Sequence, residues 1–161
     1  MRIPMTDDVS VPPVLAVADL SVTLHRDGRP NAVLDHVALT VRRGEIVAML
    51  GESGSGKSTL ALAAMGLLAA ESRPLVHGSV AIDGVELLGG SDEHWRRIRK
   101  EQLGAVFQDP IGSLNPALRI GTQLSEAIAD GTSPALWLER VGIAEPESRL
   151  RAFPHQLSGG Q

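Results

Sequence analysis

A glycine-rich loop between a short apolar run and a helix-forming segment limits the fold of this chain more than any other feature. Residues 45–50 (EIVAML) have the nearly continuous apolar composition of a buried central strand. Residues 51–56 (GESGSG) contain three glycines, and residues 57–68 are rich in strong helix formers. The order of buried strand, tight loop and helix predicts an α/β fold in which the loop joins the strand directly to the helix.

The loop and the first helical residues match the pattern G-x-x-x-x-G-K-[ST] in the setting that this pattern requires. Glycine allows positive φ and close approach of the backbone, so successive N–H groups can point inward at phosphates. The N-terminus of the following helix adds positive potential. Lys57 would place its charge near the β- and γ-phosphates, Ser58 would coordinate Mg²⁺, and Thr59 would support the α-phosphate. The predicted nucleotide contacts in this segment are Gly51, Ser53, Gly54, Ser55, Gly56, Lys57, Ser58 and Thr59.

This pattern alone indicates a nucleoside triphosphate and no more, because kinases, GTPases and many ATPases share it. The alternative without a function is a glycine-rich turn that binds no ligand. The strand–loop–helix setting argues against that alternative.

Apolar patterning predicts further elements around the loop. Strands are predicted over residues 14–24 and 33–41, with a turn at 26–31, and a hairpin is predicted over 73–88. The other predicted elements are a helix over 92–100 capped by Ser91, a buried strand over 103–107, and helices over 123–129 and 134–141. Three regions follow from this pattern: a disordered leader of residues 1–13, a P-loop α/β core with a β subdomain over 14–108, and a helical subdomain over 109–161.

Composition excludes several classes of function. The chain has no cysteine, which excludes disulfides and thiolate metal sites. Its formal net charge is −4, so it lacks the basic field of a nucleic-acid-binding protein, and we expect no nucleic-acid partner. Its longest apolar-rich stretch, residues 60–70, is shorter than the roughly 20 residues that cross a bilayer. Any membrane association is therefore expected to go through a partner.

The last five residues carry the most specific motif. They read LSGGQ, after a helical region and directly after the sequence FPHQ at 153–156. In this order behind the phosphate loop, the chain resembles the ATP-binding-cassette (ABC) ATPases. The resemblance implies a P-loop NTPase core of the ABC type with an antiparallel β edge and a helical subdomain. It also implies ATP and Mg²⁺ as cofactors. The alternative, a Ser/Gly-rich linker, leaves the motif order unexplained.

In this family two nucleotide-binding domains pair head to tail, and the signature of one faces the ATP of the other. The resemblance implies that Ser158, Gly159, Gly160 and Gln161 contact the γ-phosphate of ATP bound to a second ABC subunit. Glycine backbone, a hydroxyl and a helix N-terminus suit such an anion site.

The sequence between the two motifs narrows the resemblance. FQDP at 107–110 and SLNP at 113–116 are similar to the ATPases of oligopeptide, dipeptide and nickel importers. Gln108 resembles the Q-loop glutamine of the family, which implies a place near Mg²⁺ and the attacking water. The catalytic residues implied are thus Lys57 and Gln108, and the metal-contacting residues implied are Ser58 and Gln108. The implied partners are transmembrane permease subunits and, indirectly, an extracytoplasmic substrate-binding protein, at the cytoplasmic face of the plasma (inner) membrane.

Two departures from the family pattern matter. Where the family usually has an aromatic residue that stacks on adenine, this chain has Leu24 followed by His25. No apolar strand ending in Asp-Glu (Walker B) and no switch histidine occur within the 161 residues, so the C-terminal part of the core is missing. We therefore expect a fragment or a shortened protein, inactive as an ATPase on its own, with Val47 and Met49 partly uncovered.

Three rival interpretations remain open at this point. The chain could be a soluble, non-transport ABC ATPase, a truncated chain that binds ATP without turnover, or a P-loop kinase. The kinase interpretation leaves LSGGQ unexplained, and the sequence between the motifs argues against the non-transport ATPase.

Overall fold

A computed structural model describes residues 11–107, 109, 112–128 and 131–161. It divides the chain into two compact units, one ending at Trp95 and the other beginning at Arg96. The first ten residues of the expected leader, and Gln108, lie outside the described residues. The division expected at residue 108 stays a prediction.

The first unit is built on a four-stranded antiparallel sheet with the strand order β2-β1-β3-β4. The strands are β1 (Leu15–Arg26), β2 (Arg29–Val41), β3 (Leu75–Ile82) and β4 (Val85–Glu86). Tight turns at Asp27-Gly28 and Asp83-Gly84 join the two hairpins, and all four turn residues have positive φ. The predicted strands before the loop and the predicted hairpin after it are confirmed, as is the antiparallel β edge.

The core of this unit comes from one face of the sheet. Strand β1 alternates buried Leu20 and Val22 with less buried neighbours, as expected for a strand with one face covered. Val80 on β3 and Leu87 after β4 are completely buried beside them. Burying side chains of this size stabilises a fold by about 1.5–3 kcal/mol each.

A β-bulge interrupts the middle strand. The pairing of β1 shifts register after Val17 on one side and after Ala18 on the other, and Asp19 between them has φ +53°. Beside the bulge, His36 on β2 has φ +49° and Gly78 on β3 has φ +108°. A Cβ at position 78 would meet the carbonyl oxygen of Asp19, and the Ala18 oxygen at 2.8 Å. Only glycine fits beside this bulge without strain.

Five α-helices are described. They are α1 (Lys57–Ala64), α2 (Asp92–Glu101), α3 (Ile120–Ala127), α4 (Pro134–Arg140) and α5 (Pro146–Leu150). The Ser91 hydroxyl accepts a hydrogen bond from the His94 N–H (3.3 Å), which is the predicted cap of α2. Among the described residues, none of these helices combines the length and apolar character that a membrane span requires.

The two predicted buried strands are wrong. Residues 45–50 and 103–107 are not in strands, and no described strand pairs with either segment. Ile46 is 96% exposed, Leu50 92% and Val106 100%, and Val47 and Met49 are about 40% exposed, as expected for those two residues. An apolar segment forms a central strand only when neighbouring strands satisfy its N–H and C=O groups, and none of the four described strands does so for these two segments.

The second unit is a group of short helices held by side-chain hydrogen bonds to the backbone. Gln123 on α3 accepts from the Asn115 N–H (2.9 Å) and donates to the carbonyl oxygens of Asn115 and Leu118 (3.1 Å each). This single amide fixes the SLNP segment against the helix that follows it. Ile120 and Leu138 are buried here, whereas Trp137 is 40% exposed and has the Arg140 guanidinium over its ring.

We expect Gly78→Ala to lower the free energy of unfolding by about 3 kcal/mol, because it adds a clash with β1 to the strain of a positive φ. Gly28→Ala is the matched control, since Gly28 has φ +74° and open space around its Cβ position. The control should cost only about 1 kcal/mol. Urea unfolding of both variants measures the difference, and equal losses would contradict the proposed contact.

We expect the pKa of His36 to lie above its usual value of 6.5, because its Nδ1 hydrogen-bonds the Asp19 carboxylate (2.5 Å) and the charges of Asp19 and Asp35 favour the imidazolium. The stabilisation from this pair is complete below pH 6.5 and is lost as the pH rises through the raised pKa. An NMR titration of the ring should show Asp19→Asn lowering this pKa. Asp27→Asn, at the far turn, should leave it unchanged, and insensitivity to Asp19→Asn would refute the contact.

Candidate functional site

The loop of residues 51–56 folds back on itself between the exposed segment 45–50 and helix α1. The Ser55 N–H donates to the Glu52 carbonyl (3.3 Å), and Gly54 and Gly56 have φ of +83° and +89°. These two left-handed positions lie within three residues of each other, and residues with a Cβ resist such backbone conformations. The loop therefore ends with its backbone directed into the first turn of α1.

The ammonium group of Lys57 closes the loop from inside. Its Nζ donates to the carbonyl oxygens of Gly51 (2.8 Å) and Glu52 (2.6 Å) and to the Ser55 hydroxyl (3.2 Å). An ammonium has three N–H donors, and these three bonds use all of them. Lys57 is thus held over the concave side of the loop, where its charge faces any anion that enters.

Strand β2 holds the end of the loop near α1. A Cβ at Gly56 would meet the Leu34 side chain at 2.8 Å and the Val33 carbonyl oxygen at 3.0 Å, so the loop backbone lies directly on β2. Val33 lines the same concave site. Val33 belongs to no local motif and was not predicted as a site residue; its place in the strand pattern before the loop is the only signal for it in the sequence.

Seven of the eight predicted phosphate contacts lie together around one cleft, and the eighth, Gly51, does not line it. The cleft has a volume of about 280 Å³ and is lined by Val33 and by every residue from Ser53 to Thr59. The first N–H groups of α1 have no acceptor within the helix, as at the start of any α-helix, and Gly56 before them supplies no side-chain cap. Loop amides, a helix N-terminus and one ammonium make this cleft suitable for a phosphate chain.

The position at which the family usually carries an adenine-stacking aromatic residue is not part of this cleft. Neither Leu24 nor His25 lines it, and the His25 ring nitrogen Nδ1 lies 3.0 Å from the Arg73 carbonyl oxygen.

The residues predicted to hold a cation are only partly described. Ser58 is exposed at the second position of α1 and lines the cleft, whereas Gln108 lies outside the described residues. The described residues hold no group of three His, Asp or Glu side chains suited to a metal ion. One hydroxyl fits Mg²⁺ in the mode in which water and phosphate supply most of its ligands.

The signature residues form an exposed turn in the second unit. The Ser158 N–H donates to the Gln161 side-chain oxygen (3.0 Å), and the Gln161 N–H donates back to the Ser158 carbonyl (2.9 Å). Positions 159 and 160 have open space where a side chain would be, so their backbone is accessible to a ligand. The same reciprocal pair joins Phe153 and Gln156 one turn earlier, at 2.8 and 2.9 Å.

A separate cleft, which lies in the second unit, is apolar. It has a volume of about 240 Å³, and most of its lining is aliphatic, including Leu114, Ile120, Leu124 and Leu138. Such a lining does not suit a phosphate chain, so the cleft at the loop is the candidate nucleotide site.

Comparison with known proteins agrees with both motifs. The family model described as "ABC transporter" matches residues 34–161. The oligopeptide transport ATP-binding protein OppD of Mycobacterium tuberculosis is 44% identical over 159 residues, which is 92% of this chain and 26% of that protein. OppD of Escherichia coli is 40% identical over 91% of this chain and 46% of its own length. The glutathione import ATP-binding protein GsiA of Salmonella typhimurium is 36% identical over 98% of this chain and 27% of its own length.

Solved structures support the same fold. The dimeric structure of MJ0796, a bacterial ABC transporter cassette, has a TM-score of 0.70 and 28% identity over 91% of this chain and 64% of that chain. A dimeric post-hydrolysis state of the same cassette, bound to ADP and Pi, gives the same values. The chain thus spans between a quarter and a half of the length of the three curated relatives named above.

Proposed function

The chain belongs to the ABC transporter family, and on that premise we propose that it binds ATP at residues 51–59 as part of the nucleotide-binding subunit of an importer. The observation that carries this proposal is the closed loop itself. An ammonium with all its donors directed to the loop interior lies at the N-terminus of α1, beside left-handed glycines. This arrangement is what a triphosphate requires from a backbone cradle.

Phosphate oxygens would replace the loop's own acceptors around Lys57. The ammonium can turn from the carbonyls of Gly51 and Glu52 to the β- and γ-phosphates, which carry far more negative charge. The N–H groups of the loop and of the first turn of α1 then donate to the same oxygens. Binding is thus an exchange of weak internal acceptors for strong external ones.

Mg²⁺ fits this site as a companion of the nucleotide. The Ser58 hydroxyl would hold the ion at the rim of the cleft, and Gln108 is the second residue proposed for it. When bound, the ion neutralises charge on the β- and γ-phosphates. We propose Lys57 and Gln108 as the catalytic residues that this chain contributes to hydrolysis in the intact protein.

We propose that the signature residues act on a partner's nucleotide. The accessible backbone at Gly159 and Gly160, with the Ser158 hydroxyl, would cap the γ-phosphate of ATP held by a second ABC subunit. Pairing of this kind supports the remaining partner proposals: permease subunits in the membrane and, beyond them, a substrate-binding protein. The proposed location is then the cytoplasmic face of the plasma membrane.

The cargo class is proposed from the relatives. Those named above are described as transporting oligopeptides or importing glutathione, and FQDP and SLNP at 107–116 resemble the peptide and nickel importers. We therefore propose import of a small substrate of the peptide or nickel class. A soluble, non-transport ABC ATPase is disfavoured by the same relatives.

A second candidate function is ATP binding without turnover. It is favoured by one observation: no apolar strand ending in Asp-Glu occurs within the 161 residues, so they supply neither a general base nor the further carboxylate anchor that would hold the metal beside Ser58.

We expect Lys57→Ala to weaken Mg-ATP binding by about 10- to 100-fold, because it removes the full charge at the β- and γ-phosphates. Equilibrium titration with a fluorescent ATP analogue measures the affinity. The matched control is Lys100→Ala, which removes the only other lysine of the chain from the exposed surface of α2 and should bind as the parent does. Equal affinities for Lys57→Ala and the parent would remove the loop as the site.

We expect the 161-residue chain to bind Mg-ATP but release phosphate no faster than its Lys57→Ala variant. Phosphate release at saturating ATP, measured beside binding, separates the two candidate functions. Turnover that depends on Lys57 would establish that this chain alone is an ATPase and would overturn the second candidate.

A further inference from the structure

Arg119, at the residue before α3, contacts the backbone that leads into the signature. Its Nη1 donates to the Arg151 carbonyl oxygen (2.5 Å), and the next residue, Ile120, donates its N–H to the Ala152 carbonyl (2.9 Å). Two consecutive carbonyls after α5 are therefore held by two consecutive residues at the start of α3. These contacts fix where the segment after α5 begins.

The same guanidinium also lies on the aromatic ring that opens this segment. The Arg119 Cζ is 5.2 Å from the centroid of the Phe153 ring, within the range of a cation–π contact. On the sequence side nearer the signature, the Phe153 and His155 rings are stacked, with centroids 5.8 Å apart and planes 8° from parallel. Arg119 is thus the first member of a three-group stack that ends two residues before Leu157.

Backbone bonds continue the arrangement to the last residue. The Gln156 N–H donates to the Phe153 carbonyl (2.9 Å), and the Leu157 N–H donates to the Pro154 carbonyl (3.1 Å), which closes a short 3₁₀ helix over Pro154–Gln156. The reciprocal Ser158–Gln161 pair follows at once. Each turn begins where the previous one ends, so the orientation of Phe153 is transmitted to the signature.

We propose that Arg119 is a positioning residue for the signature: it sets the orientation of residues 153–161 without touching nucleotide. The proposal rests on the proposed role of residues 158–161 at a partner's ATP. A surface ion that merely adds stability is the alternative. The geometry favours the positioning role, because the Arg119 side chain stacks on the Phe153 ring and donates its hydrogen bond to the backbone carbonyl of Arg151, two residues before that ring.

The test compares hydrogen exchange in the 161-residue chain without nucleotide. Arg119→Met keeps an apolar stem over the ring but loses the charge and the donor, and Arg119→Lys keeps both in a less planar form. Arg140→Met is the matched control, because Arg140 makes the same kind of contact with Trp137 (5.0 Å) on α4, in the same unit. Phe153→Leu is a second route to the same loss, from the aromatic side.

We expect Arg119→Met and Phe153→Leu to raise exchange at the amides of Gln156, Leu157 and Gln161 by about fivefold or more, since local opening controls these rates. Arg119→Lys should restore part of the protection, and Arg140→Met should leave these amides at the parent's rates. Unchanged rates in Arg119→Met would overturn the proposal. So would equal acceleration in Arg140→Met, which would indicate general loosening of the unit.

A second measurement separates this proposal from the function on which it rests. Sedimentation with Mg-ATP tests whether the parent associates, and failure to associate would count against the capping role while the exchange rates still decide the role of Arg119. Where the parent associates, Arg119→Met should need about tenfold more protein for half-association at an unchanged ATP affinity. A matching fall in ATP affinity would overturn the positioning role.

Discussion

Three hydrogen bonds from one ammonium hold together the part of the molecule on which everything else depends. Lys57 joins the beginning of the loop, at Gly51 and Glu52, to its end at the first residue of α1. Gly56 then lies directly on β2, so the antiparallel sheet supports the loop from below. A charged side chain, a left-handed glycine and a strand thus act as one unit, and the phosphate chemistry proposed for the family has a physical basis in this chain.

Local chemistry explains which parts of the fold could be predicted. The hairpins follow from alternating apolar residues and from turns such as Asp83-Gly84, and the cap of α2 follows from Ser91, because each depends on residues close in sequence. Residues 45–50 and 103–107 were predicted as strands from composition alone. Composition indicates the strand propensity of a segment but not whether neighbouring strands are present. No described strand pairs with either of these two segments.

The candidate site divides in the same way. Residues 53–59 could be predicted, because they are consecutive in the sequence and the motif that contains them forms one loop, which brings them to one cleft. Val33 and Arg119 could not, because each reaches its place through contacts between segments far apart in sequence, at the loop and at Phe153 respectively. The bulge at Asp19 was missed for the same reason: its glycine neighbour lies on another strand.

The two ends of the loop are anchored differently, because the loop begins after the exposed segment 45–50. At its far end the loop is fixed by α1 and β2, whereas its near end follows a segment that no described strand pairs with, and the carbonyls there are bonded to Lys57. Turning that ammonium toward a phosphate releases those carbonyls. A bound phosphate and the carbonyls of Gly51 and Glu52 therefore compete for the same ammonium. Ligand binding then loosens the start of the loop unless other backbone N–H groups bond to the released carbonyls.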